Sequence, residues 1–266
     1  MSRVQAIIPF FKEQDKLARC VRQLQAQTYR DVDIFVRDNS DDNIYYTAAV
    51  NEGLKKYCYA AEIGFVAILN QDAYLAPDAI ECLVDFLNRH PDAGIACPLQ
   101  VSDKGEVQWG GSLHAFPTGV HRRDPIDAYK IPCETPWANG AALLVRTEVV
   151  REAGLFDRNM RFICSDVDFS FTARARGWKA YVVPAARCEH TLDSSRRTTN
   201  FELELIKVQD LLYFARKWLS GELFRSLSLE GPNLSQTGIR MQIEKLERAR
   251  TELQGILQGC AASGLR

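Results

Sequence analysis

Three acidic groups and one late histidine are the residues of this chain that could do chemistry: Asp38 to Asp42, Asp72, and Asp166 with Asp168, followed by His190. Carboxylate oxygens with a single imidazole make a hard donor set, better suited to Mg2+ or Mn2+ than to a structural zinc. A cation held by so few protein groups ordinarily completes its shell with phosphate oxygens, which points to a nucleotide or diphosphate. There is no Gly-x-x-x-x-Gly-Lys loop and no Gly-x-Gly-x-x-Gly after the first apolar run, which argues against a nucleoside triphosphatase and a dinucleotide-dependent oxidoreductase. A nucleotidyltransferase would ordinarily carry a Gly-rich basic loop there, and Pro9-Phe10-Phe11-Lys12 is not one.

The elements that must position these groups can be read from apolar patterning. Gly64 to Leu69 is a short continuous apolar run, read as a buried strand that stops at Asn70-Gln71-Asp72. Pro77 suits the first turn of a helix running to Asn88, because its missing N–H costs nothing there. A strand ending in Asn-x-Asp delivers an acid to the carboxyl edge of a sheet, where open α/β folds bind ligands. Val4 to Ile8, closed by Pro9, is the first strand, and Glu13 to Thr28 repeats Leu17, Val21 and Leu24 at helical spacing. Val32 to Val36 and Gly94 to Cys97 are further strands, with Ile44 to Tyr57 helical despite Gly53. Such alternation predicts a parallel sheet with right-handed crossovers.

From Leu99 to Thr135 the period is lost in Gly, Pro and charged residues, and a connection this long is usually functional or mobile. Regularity returns with a strand over Gly140 to Arg146, then a short helix that Thr147 can cap and Gly154 ends. Ser165 offers an N-cap, with Asp168 completing an approximate capping box for a helix up to Arg176. Lys179 to Pro184 is the last strand, with Cys188-Glu189-His190 just beyond it. After about Phe201 the composition turns to helix formers. Leu205, Val208, Leu212 and Leu219 form one stripe, and a second helix over Gln236 to Leu257 carries Ile243, Leu246, Leu253 and Leu257. Docking on the core, a dimer seam giving a homo-oligomer, and a membrane-facing stripe for peripheral association all stay open for this pair.

Composition narrows the function classes. With 33 basic against 34 acidic residues the net charge is −1, so no global field argues for nucleic acid as a partner. The cysteines at 20, 58, 82, 97, 133, 164, 188 and 260 show no Cys-x-x-Cys, which favours buried thiols in a reducing compartment over a disulfide framework or zinc site. No run approaches the roughly 18 apolar residues of a membrane span, and a cytoplasmic location is expected.

Taken in order, the motifs resemble those of the family 2 inverting glycosyltransferases of the GT-A fold, particularly the bacterial rhamnosyltransferase-like branch, from about Val4 to His190. Ile7-Ile8-Pro9-Phe10-Phe11 is similar to the family's opening strand and turn, and Gln27-Thr28-Tyr29 to its Gln-Thr-Tyr. Asp38-Asn39-Ser40-Asp41 resembles the nucleoside-contacting Asp-Asn-x-Ser element, and Asn51-Glu52-Gly53 the following Asn-x-Gly. Leu69-Asn70-Gln71-Asp72 resembles an Asp-x-Asp motif with Asn in first place. Gly154-Leu155-Phe156-Asp157 and Ser165-Asp166-Val167-Asp168 resemble the Gly-x-Phe-Asp and Glu-Asp-x-Asp elements, and Gly177-Trp178, Pro184 and His190 complete the order.

The resemblance implies a role for each motif. Asp38 would meet the base or ribose, with Pro9 and Phe10 near the base and Asn51 and Asn70 in the same donor half. Asp72 would hold a divalent cation, Mn2+ or Mg2+, bridging the two phosphates of a nucleotide-diphosphate sugar, with His190 as an auxiliary ligand. Asp166 would be the general base that deprotonates the acceptor hydroxyl opposite the leaving group, giving inversion. Trp137, Asn139 and Gly140, like Trp109, Gly110 and Gly111, could line an acceptor groove, though tryptophan is also a routine core residue. Asp168 reads as a helix-dipole residue and Asp157 as a turn residue. Ser165 stands where Glu is common, removing a like charge beside the base, and Lys12 where Asn is common.

The expected architecture is an α/β, GT-A-like (Rossmann-like), mostly parallel sheet flanked by helices over residues 1–200, with a nucleotide-sugar half 1–98 and an acceptor half 99–200. A C-terminal helical extension covers 201–266. The expected activity is metal-dependent transfer of a sugar, rhamnose or another deoxyhexose, to a glycan or lipid-linked acceptor in cell-surface polysaccharide synthesis. The competing expectation is a non-catalytic nucleotide-sugar-binding scaffold with a degenerate metal motif.

Overall fold

The computed structural model describes residues 2–113, 120–190, 200–219 and 236–262. The chain opens with β1 (Arg3–Phe10), α1 (Gln14–Gln25), β2 (Val32–Asp38), α2 (Tyr45–Tyr57) and β3 (Ile63–Leu69). It continues through β4 (Tyr74–Leu75), α3 (Ala79–Arg89) and β5 (Ala93–Val101). Four short strands follow: β6 (Val107–Trp109), β7 (Ser112–Leu113), β8 (Val120–His121) and β9 (Cys133–Thr135). Then come β10 (Ala142–Arg146), α4 (Thr147–Ala153), α5 (Ser165–Arg174), β11 (Lys179–Glu189), α6 (Phe201–Leu219) and α7 (Gln236–Ala262).

The main sheet has the order β2-β1-β3-β10-β5-β11-β4, with β6 on β5 and β9 on β11, while β7 and β8 form a separate ribbon. β1 pairs in parallel with β2 and β3, and β11 with β5. β10 runs antiparallel to both β3 and β5, so it joins the two parallel groups without reversing them. The five long strands therefore all end at one edge, and β10 begins there.

Alternation along the strands fills both faces of the sheet. Ile7, Ile68, Cys97 and Val182 share one core with α2, α4, α5 and α6, while Ala6, Ile8, Ala67 and Leu144 share the other with α1 and α3. Gly53 is required on the first face, since a Cβ there would lie 2.7 Å from the Ile7 side chain. α6, the first helix of the C-terminal extension, docks on this core: Phe214 and Trp218 are buried in it beside Phe171. α7 packs on α6, with an Arg216–Glu247 ion pair between them. Among the described residues no helix is long and apolar enough to cross a membrane, and no disulfide is present.

Several local expectations are corrected. β1 runs through Pro9, whose missing N–H faces the β3 side after that pairing has ended at Ile7–Ile68, so no ladder bond is lost. α3 starts at Ala79, and Pro77 sits in the preceding turn with its carbonyl accepting from the Thr28 N–H. Thr147 is not a cap: its hydroxyl donates to the Ile63 carbonyl. The capping box at α5 does not form. Cys164 precedes the helix with φ +69°, Ser165 Oγ accepts from Thr47 Oγ1, and Asp168 turns to Lys217 and Trp218. β11 continues past Pro184 through an irregular register to Glu189, so Cys188 and Glu189 lie inside the strand. The region 99–135 holds the end of β5 and four short strands.

Candidate functional site

The common strand edge gathers residues from distant parts of the chain around one cleft of about 450 Å3. Pro9 and Phe10 come from the end of β1, Asn70 and Asp72 from the turn after β3, and Tyr46 from the first turn of α2. The opposite wall is supplied by Phe162 and by the start of α6, including Glu202. Gln71 holds the β1–α1 loop over this edge, accepting from the Phe11 N–H at 2.6 Å and donating to the Phe11 carbonyl and to Glu13.

Asp72 faces His190 directly, with Oδ1 3.6 Å from Nε2. The sheet explains the meeting: Glu189 pairs with Tyr74 in β4, and the His190 N–H donates to the Val101 carbonyl at the end of β5. Burial pushes the Asp72 carboxyl up, but the nearby His190 ring and the Lys16 charge together hold it below the usual carboxylate range. The Asp72 carboxyl therefore stays ionised at neutral pH. The buried His190 Nδ1 has no hydrogen-bond partner among the described residues.

This donor set fits a hard divalent cation. One carboxylate and one imidazole meet beside an open cleft, while no cluster of three His, Cys, Asp or Glu groups forms among the described residues. The other positions of an octahedral shell would fall to phosphate oxygens and water.

Asp166 lies on the other side of the Asn139–Ala141 loop that precedes β10. The Asn70 N–H donates to the Ala141 carbonyl, which ties that loop to the end of β3. The Gly140 N–H donates to Asp166 Oδ2 at 2.8 Å and the Val167 N–H to Oδ1 at 2.9 Å. Tyr46 Oη donates to the Gly140 carbonyl at 2.8 Å, so the cleft wall and the carboxylate are both tied to one residue. Position 140 has room only for glycine: a Cβ would lie 2.6 Å from Tyr46 Oη and 3.1 Å from Asp166 Oδ2. Burial raises the Asp166 carboxyl above its ordinary value, against the pull of the Gly140, Val167 and Asp166 N–H groups. Asp166 does not itself line the cleft but lies behind Tyr46 and Gly140, and of the two carboxyls it is the one whose surroundings favour taking a proton.

The family comparison bears on this arrangement. Residues 65–250 match the model of glycosyl transferase family group 2, more than half of the chain. The chain belongs to that family. A curated relative, an uncharacterized glycosyltransferase of Rickettsia prowazekii, is 23% identical over 179 residues, covering 60% of this chain and 55% of that protein. The chain thus spans about half the length of that relative. The fold is similar to that of GalNAc-T7 solved with UDP, GalNAc and Mn2+, at 14% identity and a TM-score of 0.62, covering 99% of this chain and 58% of the other. It is also similar to the mannosyltransferase PcManGT of Pyrobaculum calidifontis, solved with GDP-Man and Mn2+, at 15% identity and a TM-score of 0.54, covering 98% and 75%. The TarS fragment of S. aureus with UDP-GlcNAc gives 12% identity and a TM-score of 0.55, covering 94% and 73%. These likenesses make the fold GT-A-like.

Within this family member, not every residue expected at the site reaches the cleft. Asp38 is exposed at the end of β2, with Oδ1 accepting from the Ser40 N–H, and it is its neighbour Asn39 that lines the cleft. Hydrogen bonds from Ser40 hold the Asp38 carboxyl low. Asn51 is buried in α2 and clamps Phe156, donating to its carbonyl and accepting from its N–H. Its role here is to fix the Gly-Leu-Phe-Asp turn. Trp137 is buried against Trp109 and His121, and Asn139 Oδ1 accepts from the Ala141 N–H. Both shape the loop that presents Gly140 without lining the cleft.

Tyr46, Gln71, Phe162 and Glu202 are cleft residues that the sequence reading missed. Tyr46 carried a signal, as the second of two tyrosines opening a helix just after the Asp38 to Asp42 cluster. Glu202 carried none, because nothing in a helix start predicts which sheet edge it will cover. Backbone strain also marks the site: Asn43 and Tyr45, both in the cleft wall, and Lys12 and Cys164, which flank it, are non-glycine residues at positive φ.

Proposed function

We propose that this chain is a metal-dependent inverting glycosyltransferase that moves a sugar from a nucleotide-diphosphate donor to a glycan or lipid-linked acceptor. The observation that carries the reading is two differently tuned carboxylates beside one cleft: Asp72 in its wall, lowered by His190 and Lys16, and Asp166 just outside its lining, raised by burial behind Tyr46 and Gly140. Pro9, Phe10 and Asn39 supply a wall for the base and ribose, and Asn70 faces the same space. Asp72 and His190 would hold a Mn2+ or Mg2+ ion, which would supply positive charge to offset that of the departing diphosphate. Asp166 takes the proton of the acceptor hydroxyl as that oxygen attacks the anomeric carbon from the face opposite the leaving group. A single displacement of this kind inverts the anomeric configuration.

The finer parts of the reading rest on motif resemblance. A deoxyhexose such as rhamnose is the proposed sugar, cell-surface polysaccharide synthesis the proposed setting, and the cytoplasm, with peripheral membrane contact, the proposed place. Calorimetry with UDP, GDP and dTDP, each with and without Mn2+, tests the donor site. A panel of nucleotide sugars with product detection by mass spectrometry tests turnover. Metal-dependent binding of one diphosphate and transfer from its sugar are expected. A second reading, a nucleotide-sugar-binding scaffold, is favoured by the two-residue metal set and by Asn70 in place of an acid. Binding with no turnover across donors and acceptors would establish it.

A further inference from the structure

Asp210 sits in the middle of α6, 1% exposed, and directs its carboxylate at three consecutive backbone N–H groups of another segment. Oδ1 accepts from Arg161 at 3.0 Å, and Oδ2 accepts from Phe162 at 2.7 Å and from Ile163 at 3.0 Å. Burying a carboxylate without a full set of donors is costly, so these three bonds are what make the position tolerable. The segment they hold is the one that leads into α5. After Ile163 comes Cys164 at φ +69°, a left-handed conformation that a side-chain-bearing residue adopts only when its surroundings enforce it. Ser165 and Asp166 follow directly.

The same segment is held from its other side by Thr47 of α2. The Thr47 N–H donates to the Arg161 carbonyl at 3.0 Å and Thr47 Oγ1 to Ser165 Oγ at 2.8 Å. Residues 161–165 are thus gripped between α6 and α2, and the grip sets where α5 starts. That start fixes both bonds by which Asp166 is oriented, from Val167 within its own helix and from Gly140 across the cleft wall.

We infer that Asp210 is a positioning residue for Asp166: by ordering the 161–163 backbone it holds the proposed base against Gly140, so that α6 serves the reaction although its core contacts lie behind the site. This rests on Asp166 being the base, and its test has a readout independent of turnover. Amide hydrogen exchange by NMR reads the Gly140 and Val167 N–H groups, which report directly on the Asp166 carboxylate. Asp210→Ala is expected to speed exchange at Arg161, Phe162, Ile163 and Gly140. It should lower kcat by about 10–100-fold, the scale of a displacement near 1 Å, with donor KM and diphosphate binding unchanged within a factor of about three. Asp210→Asn keeps one acceptor oxygen and should give a smaller change of the same kind, which guards against misfolding of the alanine variant. Trp218→Phe, which removes the Nε1–H bond to Asp168 from the same helix, controls for simple loosening of α6 and should leave Gly140 exchange and kcat as in the parent. Unchanged Gly140 protection in the Asp210 variants, or the same change in Trp218→Phe, overturns the inference. A parent protein that turns over no donor would instead overturn the proposed function, with the exchange result still standing for or against Asp210.

Discussion

The turn after β3 and the start of α5 each present a carboxylate at the same sheet edge, and burial pushes both upward, yet the two end on opposite sides of the ordinary value. Asp72 has a histidine and a lysine within reach and is lowered. Asp166 has only backbone N–H groups, those of Gly140, Val167 and its own residue, and is raised. Dipoles of single peptides do not offset desolvation as neighbouring cations do. On the proposed function, the contrast separates an anchor, which must stay charged, from a base, which must be able to take a proton, so that the turn after β3 would serve binding and the start of α5 reaction.

The largest break in this contrast is Asp166→Asn. General-base assistance contributes about 10²–10⁴-fold, so kcat should fall by that order while nucleoside diphosphate binding by calorimetry stays as in the parent. Normal turnover in this variant would remove the base assignment. The pH dependence follows with a definite sign. Transfer needs ionised Asp166, whose carboxyl is raised, so kcat should be lost on acidification at a pH above that at which an exposed aspartate titrates. Stability runs the other way for this group: its contribution is present below the unfolded value and is lost as pH rises through the folded value, so the ionised base weakens the fold at neutral pH.

Asp72→Ala sharpens the other side. Altering even an outer partner of a metal ligand costs about 10–100-fold in metal affinity, and removing a direct ligand should cost at least as much. The measurement is the Mn2+-dependent increment of diphosphate binding, expected to vanish while the metal-free affinity persists. Equal Mn2+ enhancement in parent and variant would place the cation elsewhere.

The two regions also differ in how legible they were. The strand Ile63–Leu69 and its Asn70-Gln71-Asp72 end follow from a local apolar run, and the position of Asp72 at the carboxyl edge follows from the alternation of strands and helices. Nothing beyond residues near in sequence was needed. The α5 start is different. Its local pattern, Ser-Asp-Val-Asp, satisfies a capping box, but long-range partners claimed each side chain: Thr47 took Ser165, Gly140 took Asp166, and Lys217 with Trp218 took Asp168. Capping is worth about 1 kcal/mol, and a buried carboxylate with charged and N–H donors outweighs it. Asn51 shows the same limit, since a motif places it in the donor half while its amide is committed to Phe156. For the extension after residue 200, composition announced helices but left open what they pack on, and α6 docks on the core through Phe214 and Trp218.

Gly140→Ala probes the joint between the two regions. The added methyl would press on Tyr46 Oη and on Asp166, neither of which is the free end of a flexible chain. Overpacking of this kind costs about 1–3 kcal/mol, and the expected result is a lower Tm together with a kcat reduced by about tenfold. A fall in Tm without any change in kcat would mean that Asp166 is placed by α5 alone.

Tyr46→Phe is the mildest test of the same joint. It removes one hydroxyl that donates to the Gly140 carbonyl and leaves the ring in the cleft wall. A single such bond is worth about 1 kcal/mol net, and its loss leaves the carbonyl of buried Gly140 without that donor, so a loss of stability of about 1–3 kcal/mol is expected. Because the Gly140 N–H to Asp166 stays in place, kcat should change by less than about threefold, while the tyrosine charge state becomes irrelevant to the pH profile. In the parent, burial and the Asp166 charge hold the Tyr46 hydroxyl protonated well above its ordinary range. An identical acid limb in Tyr46→Phe therefore assigns that limb to Asp166, and a displaced one would give Tyr46 a direct part in setting the base.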